Sequence, residues 1–358
     1  MSDKFTNVRI LNNYYQTSSF FPMPIVLITT STETGQVNLA PYSLIFPHYV
    51  NGANEWAMML ISRGSSNTAQ NLLREKRCCL NFIPHSEEFM HTCVMLGYPG
   101  ETTEQKMKDN TFTLIPANPN EDGSPSKMPE YVEEAIQIFE CEWDDSYPRK
   151  HNEELEENRF LLRIKRIVMK PEWKEKLIGG EEFPILPINF GFRDNINFWF
   201  SANTPPYKIR VPASKSNTIE TVIYACDRCD PSITWEREAC ERLRLVPPIF
   251  LKDAVTHSVE AAKAEGLSVI TAEFIDKLRD KRESEKSNQS VDFTMEWDYE
   301  LQDLLAQVPK SMLEMMVGNA EKWAREKNYP KVTLKSLEEL MESMGMDLGE
   351  MLKSVGNG

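Results

Sequence analysis

The chain has 358 residues, with 40 Lys and Arg against 54 Asp and Glu, for a formal net charge of −14. At roughly 150 residues per domain that length points to two domains, and a body of this size buries a core without disulfide or metal staples. Apolar residues at 41% exclude wholesale disorder, and the acidic balance argues against a nucleic-acid partner.

The first two hundred residues read as mostly β. Residues 25–30 (IVLITT) form a short β-branched run before a turn at Thr34 and Gly35. Strands are then expected over 37–46, 56–62, 78–83, 136–143, 160–169 and 196–200. Helices are expected over 66–76 and 101–109, and polar stretches at 117–128 and 153–157 read as surface loops. Many short strands with turn chemistry between them favour a barrel or sandwich. The longest apolar stretch, 20–30, carries two prolines and is about half the length of a membrane helix. The N-terminus has no signal-peptide pattern. Seven cysteines, Cys78 and Cys79 adjacent, do not read as a disulfide framework. The expectation is a cytoplasmic chain without membrane or nucleic-acid partners.

After residue 212 the pattern becomes helical and repeats. Residues 235–282 align without a gap on 297–344 at an offset of 62, with ten identities that include Trp235/Trp297, Val246/Val308, Pro247/Pro309 and Thr271/Thr333. A period of this length marks a duplicated supersecondary unit. Each copy reads as a short helix, a Val-Pro break, a longer amphipathic helix, and a third helix capped by threonine.

The densest chemistry lies at 62–68, where Ser62, Arg63, Gly64, Ser65, Ser66, Asn67 and Thr68 lead into the first long helix. A guanidinium, four hydroxyls and free backbone N–H groups at the positive end of a helix dipole suit a phosphate. The plainer reading is a helix cap beside a solvated arginine. Upstream stand Thr29, Thr30, Gly35 and the run Asn38, Leu39, Ala40, Pro41, Tyr42, Ser43; downstream come Thr68 and Asn71, then Glu140 and Cys141. This ordered set resembles the flavin reductase-like, FMN-binding split-barrel family, which includes flavoredoxins, over roughly residues 8–205.

The resemblance implies an FMN-dependent oxidoreductase, an NAD(P)H:flavin reductase-like enzyme passing hydride or electrons to an unidentified acceptor. It implies a homodimer with FMN at the subunit interface and an electron-transfer protein or NAD(P)H as donor. Ser62, Arg63, Asn67 and Thr68 would hold the phosphate. Thr29, Thr30, Asn38, Leu39, Ala40 and Ser43 would border the ring and ribityl chain. Relatives follow their serine with an aspartate and two prolines; here residues 46–54 (FPHYVNGAN) stand instead, near where the family admits nicotinamide. His48 in that stretch is a candidate contact for substrate or nicotinamide, against the plainer reading of a surface histidine. No acid–base pair stands out, which fits a cofactor that carries the redox chemistry itself. His85, His91 and Cys93 lack regular metal spacing, and no Gly-rich dinucleotide fingerprint is present.

Cys226 and Cys229, with Cys240 beyond, are half a metal site, a redox dithiol, or plain reduced cysteines. The duplicated segment resembles the small helical domain at the C-terminus of the B subunit of light-independent protochlorophyllide reductase, carried by Trp235, Glu238, Ala239, Leu243, Val246, Pro247, Glu260, Ala262, Gly266 and Thr271. The second copy departs at Glu321, one position early, and at Asn328 in place of glycine. The expected organisation is α+β: a split β-barrel over 1–210, a CxxC linker over 211–233, a helical repeat over 234–282, a linker over 283–295, and a second repeat over 296–350. The alternative function is a non-catalytic ligand-binding or assembly protein whose repeats recruit a redox or tetrapyrrole-related partner.

Overall fold

In the computed structural model the apolar runs of the first half pair into antiparallel sheets. The structure describes residues 5–49, 56–149, 156–179, 182–194, 196–207, 209, 218–244, 246, 248–286, 293–298, 301 and 310–343. The chain divides into two units, Met1–Tyr207 and Lys208–Gly358.

In the first unit, α1 (Tyr14–Thr17) precedes β1 (Met23–Pro24), β2 (Val26–Ser31), β3 (Val37–Tyr42), β4 (Ile45–Tyr49) and β5 (Trp56–Arg63). Next come α2 (Asn67–Glu75), β6 (Arg77–Phe82), α3 (Glu87–Gly97), α4 (Thr103–Lys106), β7 (Leu114–Ile115), β8 (Tyr131–Val132), β9 (Gln137–Trp143), β10 (Glu157–Met169), α5 (Pro171–Gly179), β11 (Pro187–Phe192) and β12 (Phe198–Ala202). The main sheet has seven strands in the order β3-β2-β6-β9-β10-β5-β4, and a second sheet runs β1-β11-β12. The unit is α+β.

The central strands are covered on both faces. Val26, Ile28, Cys78 and Leu80 enter one apolar cluster with Leu72 and Phe160, while Leu27 and Cys79 enter another with Leu39, Met90 and Ile138. Two-sided burial explains why β2 reads as a continuous apolar run and not as an alternation. Each such Leu or Ile contributes about 1.5–3 kcal/mol.

The stretch 37–46, expected as one strand, is two. Pro41 has no N–H for a ladder and sits on the edge strand β3, where that is tolerated. The chain then turns, and β4 pairs with β5 instead. The stretch around His85, His91 and Cys93 contains α3, whose Ser86 Oγ accepts from Phe89 N at 3.1 Å. Residues 50–54 of the 46–54 stretch and 153–155 of the acidic run lie outside the described residues.

In the second unit, α6 (Ile219–Cys229) is followed by β13 (Thr234–Trp235), α7 (Arg237–Leu243), α8 (Pro248–Ala264), β14 (Val269–Ile270) and α9 (Ala272–Lys286). Then come β15 (Glu296–Trp297), α10 (Lys310–Glu326), β16 (Lys331–Val332) and α11 (Leu334–Ser343). Parallel pairs join Trp235 to Ile270 and Trp297 to Val332, partners that share the 62-residue offset. Thr271 Oγ1 caps α9 by accepting from Phe274 N at 3.2 Å, and Thr333 Oγ1 caps α11 by accepting from Ser336 N at 3.1 Å. The expected linker 211–233 contains α6, whose Val222 and Cys226 are wholly buried in the unit's core. The sequence hides this helix, because Cys226, Asp227, Arg228, Cys229 and Asp230 mask the apolar face that precedes them.

The cores of the two halves treat their shared tryptophan differently. Trp297 Nε1 donates to Glu321 Oε1 at 3.1 Å, whereas Trp235 Nε1 is buried without a partner among the described residues. The position 62 residues before Glu321 is Val259. Val308, Pro309 and Pro247 lie outside the described residues. Among the described residues, no helix is long and apolar enough to cross a membrane.

Candidate functional site

The turn between β5 and α2 is fixed by local chemistry. Gly64 N donates to Glu156 O at 2.9 Å. A Cβ at Gly64 would stand 3.0 Å from that same oxygen, a contact tight enough that the backbone of Glu156 would have to give way. Ser66 caps α2, its Oγ accepting from Ala69 N at 3.1 Å. Three hydroxyls meet here: Tyr42 Oη lies 2.8 Å from Ser62 Oγ and 3.2 Å from Ser66 Oγ, and the two serine oxygens are 2.9 Å apart. The first-turn N–H groups that Ser66 leaves unpaired are donors at the same point.

Asn38 ties this turn to its surroundings from below. Its Nδ2 donates to Thr30 Oγ1 at 3.3 Å and Thr68 Oγ1 at 3.2 Å, and its Oδ1 accepts from Thr103 Oγ1 at 3.3 Å. One buried amide therefore links β2, the first turn of α2 and the start of α4. Asn67 Nδ2 adds a bond to Glu101 O at 3.0 Å. A capping box between Thr102 and Gln105 sets the start of α4, and α4 ends at Lys106.

These elements border a cleft of about 800 Å³, within the range of about 300–1,000 Å³ usual for small-molecule sites. One wall is Ala40, Pro41, Tyr42 and Ser43; Ser62, Arg63, Ser65, Ser66, Asn67 and Thr68 form another. Phe192, Phe198 and Phe200 contribute an aromatic side, with Phe198 and Phe200 stacked at 6.2 Å and Phe192 edge-on to Phe198 at 4.8 Å.

Lys106 completes the lining. It is only 6% exposed, and among the described residues its ammonium has no hydrogen bond or ion pair. Burial pulls its pKa from 10.5 down to about 8, with Glu101 acting in the opposite direction. Its stem is buried while the ammonium opens into the cleft, where an anionic group would meet it. Arg63 is the second cation of the lining; Glu157, its cross-strand neighbour, and Glu101 are the acidic members. Cys93 also faces the cleft, and burial pushes its thiol up to about 12, which keeps it neutral.

Of the sequence candidates, Ala40, Ser43, Ser62, Arg63, Asn67 and Thr68 line the cleft. Thr29, Thr30, Asn38 and Leu39 do not: all four are fully buried. Thr29 accepts from Asn81 Nδ2 at 3.4 Å, Thr30 from Asn38 and Asn71, and Leu39 packs in the core. His48 lies on the edge strand β4 opposite Ala57 and is not brought to the cleft. Glu140 sits apart on β9, held by Arg166 at 2.6 and 2.9 Å and by Tyr131 Oη. Cys226 and Cys229 belong to no metal-ligand cluster: among the described residues no group of three His, Cys, Asp or Glu stands close enough to hold an ion. Sequence reasoning missed Lys106, Phe198 and Phe200. The two phenylalanines carried a signal, being alternate residues of an expected strand, whereas Lys106 reads as an ordinary solvated lysine.

No protein-family model matches the chain, and no curated protein matches it. Among solved structures it is similar to flavoredoxin from Methanosarcina acetivorans, with TM-score 0.42 and 15% identity over 60% of this chain and 100% of that one. It is similar to nitrilotriacetate monooxygenase component B from Bacillus cereus, with TM-score 0.42 and 16% identity over 58% and 96%. An FMN-binding protein from Thermus thermophilus with bound p-hydroxybenzaldehyde gives TM-score 0.40 and 13% identity over 58% and 99%.

Proposed function

We propose that the chain is an FMN-binding flavoprotein oxidoreductase whose cofactor occupies this cleft. The observation that carries the reading is Lys106, 6% exposed, whose ammonium opens into the same cleft as Arg63 and the N-terminus of α2 with no hydrogen-bond or ion-pair partner among the described residues. The donor set fits a phosphate dianion: Arg63, Ser65, Asn67, Thr68 and the first-turn N–H groups would hold it. Pro41 and the Phe198–Phe200 side offer apolar surface for a flat ring, and Lys106 supplies a cation to an electron-rich part of the ligand. When bound, FMN supplies hydride or electron transfer to a second acceptor. The chain's own residues orient it and keep water from the aromatic side.

The same reading includes a homodimer. Phe20, Phe21 and Trp199 are large apolar side chains left exposed in this unit, and a second copy would cover them. It includes a duplicated C-terminal unit as well, supported by the matching Trp235–Ile270 and Trp297–Val332 pairs and the matching threonine caps.

FMN titration followed by quenching of its fluorescence tests the cofactor. Saturable 1:1 quenching is expected, and free-flavin fluorescence at all protein concentrations overturns the reading. NADH and NADPH oxidation, with and without added flavin, then separates a nicotinamide donor from a protein donor.

A further inference from the structure

Tyr42 has no role in the reading above, yet its hydroxyl stands at the start of α2. The residue ends the edge strand β3, is half-buried and lines the cleft. Its Oη lies 2.8 Å from Ser62 Oγ and 3.2 Å from Ser66 Oγ, and the serine oxygens are 2.9 Å apart. Each hydroxyl has one proton to give and two lone pairs to receive one. The triangle closes when Tyr42 donates to Ser62, Ser62 to Ser66, and Ser66 to Tyr42. If Tyr42 turns its proton outward, Ser62 still donates to Ser66 and Ser66 to Tyr42, so no donor is stranded. Ser62 is only 3% exposed, and Ser66 Oγ is committed to the cap through Ala69 N at 3.1 Å. The proton that can turn to a ligand is therefore that of Tyr42.

The surroundings call for an anion at this point. Asn67 and Thr68 open α2, and their N–H groups find no carbonyl within the helix. Lys106 opens its ammonium into the same cleft, 6% exposed and with no hydrogen-bond or ion-pair partner among the described residues. We infer that Tyr42 is a further phosphate ligand of the cleft, its hydroxyl donating to the phosphate of the bound flavin; the inference rests on the FMN reading above. Binding then exchanges a neutral hydrogen bond to Ser62 for a charge-assisted one to a dianion, which is about twice as strong. Ser62 becomes a positioning residue, holding Tyr42 Oη beside the cap of α2 and acting on the ligand through it.

Riboflavin has the ring and ribityl chain of FMN without the phosphate, so it separates this role from a purely structural one. FMN and riboflavin are each titrated by fluorescence quenching into the full chain and into Tyr42→Phe, with urea unfolding of both ligand-free proteins alongside. The parent is expected to prefer FMN. Tyr42→Phe should bind FMN about tenfold more weakly while its riboflavin affinity stays that of the parent. Equal losses for both flavins, or no loss for either, overturn the inference and leave the hydroxyl triangle as structural glue between β3, β5 and α2. A parent that binds both flavins equally, or neither, overturns the FMN reading and the inference with it. A crystal of the parent with FMN reads the same claim without a variant. Tyr42 Oη within hydrogen-bond distance of a phosphate oxygen is expected, and an Oη bonded to the two serines alone contradicts it.

Discussion

Replacing Lys106 with methionine tests whether its burial serves a ligand. The substitution keeps length and apolar stem and removes the charge. The folded chain lowers the Lys106 pKa from 10.5 to about 8, and at about 1.4 kcal/mol per unit the fold bears a penalty on the order of 3 kcal/mol for keeping the ammonium charged. The sign follows from proton counts. Below pH 8 both folded and unfolded chains hold the proton and the penalty is fully present. Between about pH 8 and 10.5 the unfolded chain binds more protons, so stability rises with pH as the folded lysine neutralises. Lys106→Met should therefore make the FMN-free protein more stable at pH 7, by up to about 3 kcal/mol, with the advantage vanishing above pH 10.5. The same variant should bind FMN about ten- to hundredfold more weakly, the scale of one hydrogen bond to a charged group. Urea unfolding at pH 7 and 10.5, with FMN fluorescence titration, reads both. Stability and affinity moving in opposite directions mark a residue kept for its ligand. A variant that is no more stable at pH 7 and binds FMN as tightly as the parent would refute the reasoning.

Arg63→Ala should weaken FMN retention by about 1.5–3 kcal/mol with little change in unfolding midpoint, because its side chain is exposed; unchanged retention removes Arg63 from the site. Gly191→Ala should destabilise the first unit by about 1–2 kcal/mol from backbone strain alone, since Gly191 has φ +79° and a Cβ there would overlap the side chain of Gln16; an unaltered urea midpoint contradicts this. Burial works to raise the pKa of Glu321, but bonds from Thr294, Trp297 and Met295 outweigh it and hold the carboxyl below its usual 4.5. Its contribution is therefore full above pH 4.5 and lost as pH falls through the depressed value. Glu321→Gln should cost about 1.5–3 kcal/mol at pH 7 and flatten the loss of stability on acidification; a parallel acid profile in variant and parent speaks against the role.

The parts that were legible in the sequence are those with a local cause. The helix α2 announced itself through a serine cap before a Leu-rich amphipathic run, and its phosphate-like turn needed only neighbours in sequence, so Ser62, Arg63, Asn67 and Thr68 reach the cleft together. Thr29, Thr30, Asn38 and Leu39 were harder, because whether a residue of a doubly covered strand faces a cleft or a core depends on the elements packed above and below it. Helix α3 was missed because a buried Thr92 and an exposed Met95 blur the apolar period of Glu87–Gly97. Lys106 was unreadable, since nothing in its local sequence says that α4 would turn it into the cleft.

A crystal structure of the full chain grown with saturating FMN tests the central claim most directly. The account predicts the phosphate at the start of α2 within hydrogen-bond distance of Arg63 and Thr68, with the Lys106 ammonium in contact with the same ligand. A cleft filled by the protein's own side chains, or FMN bound elsewhere with Lys106 still unpaired, would contradict it.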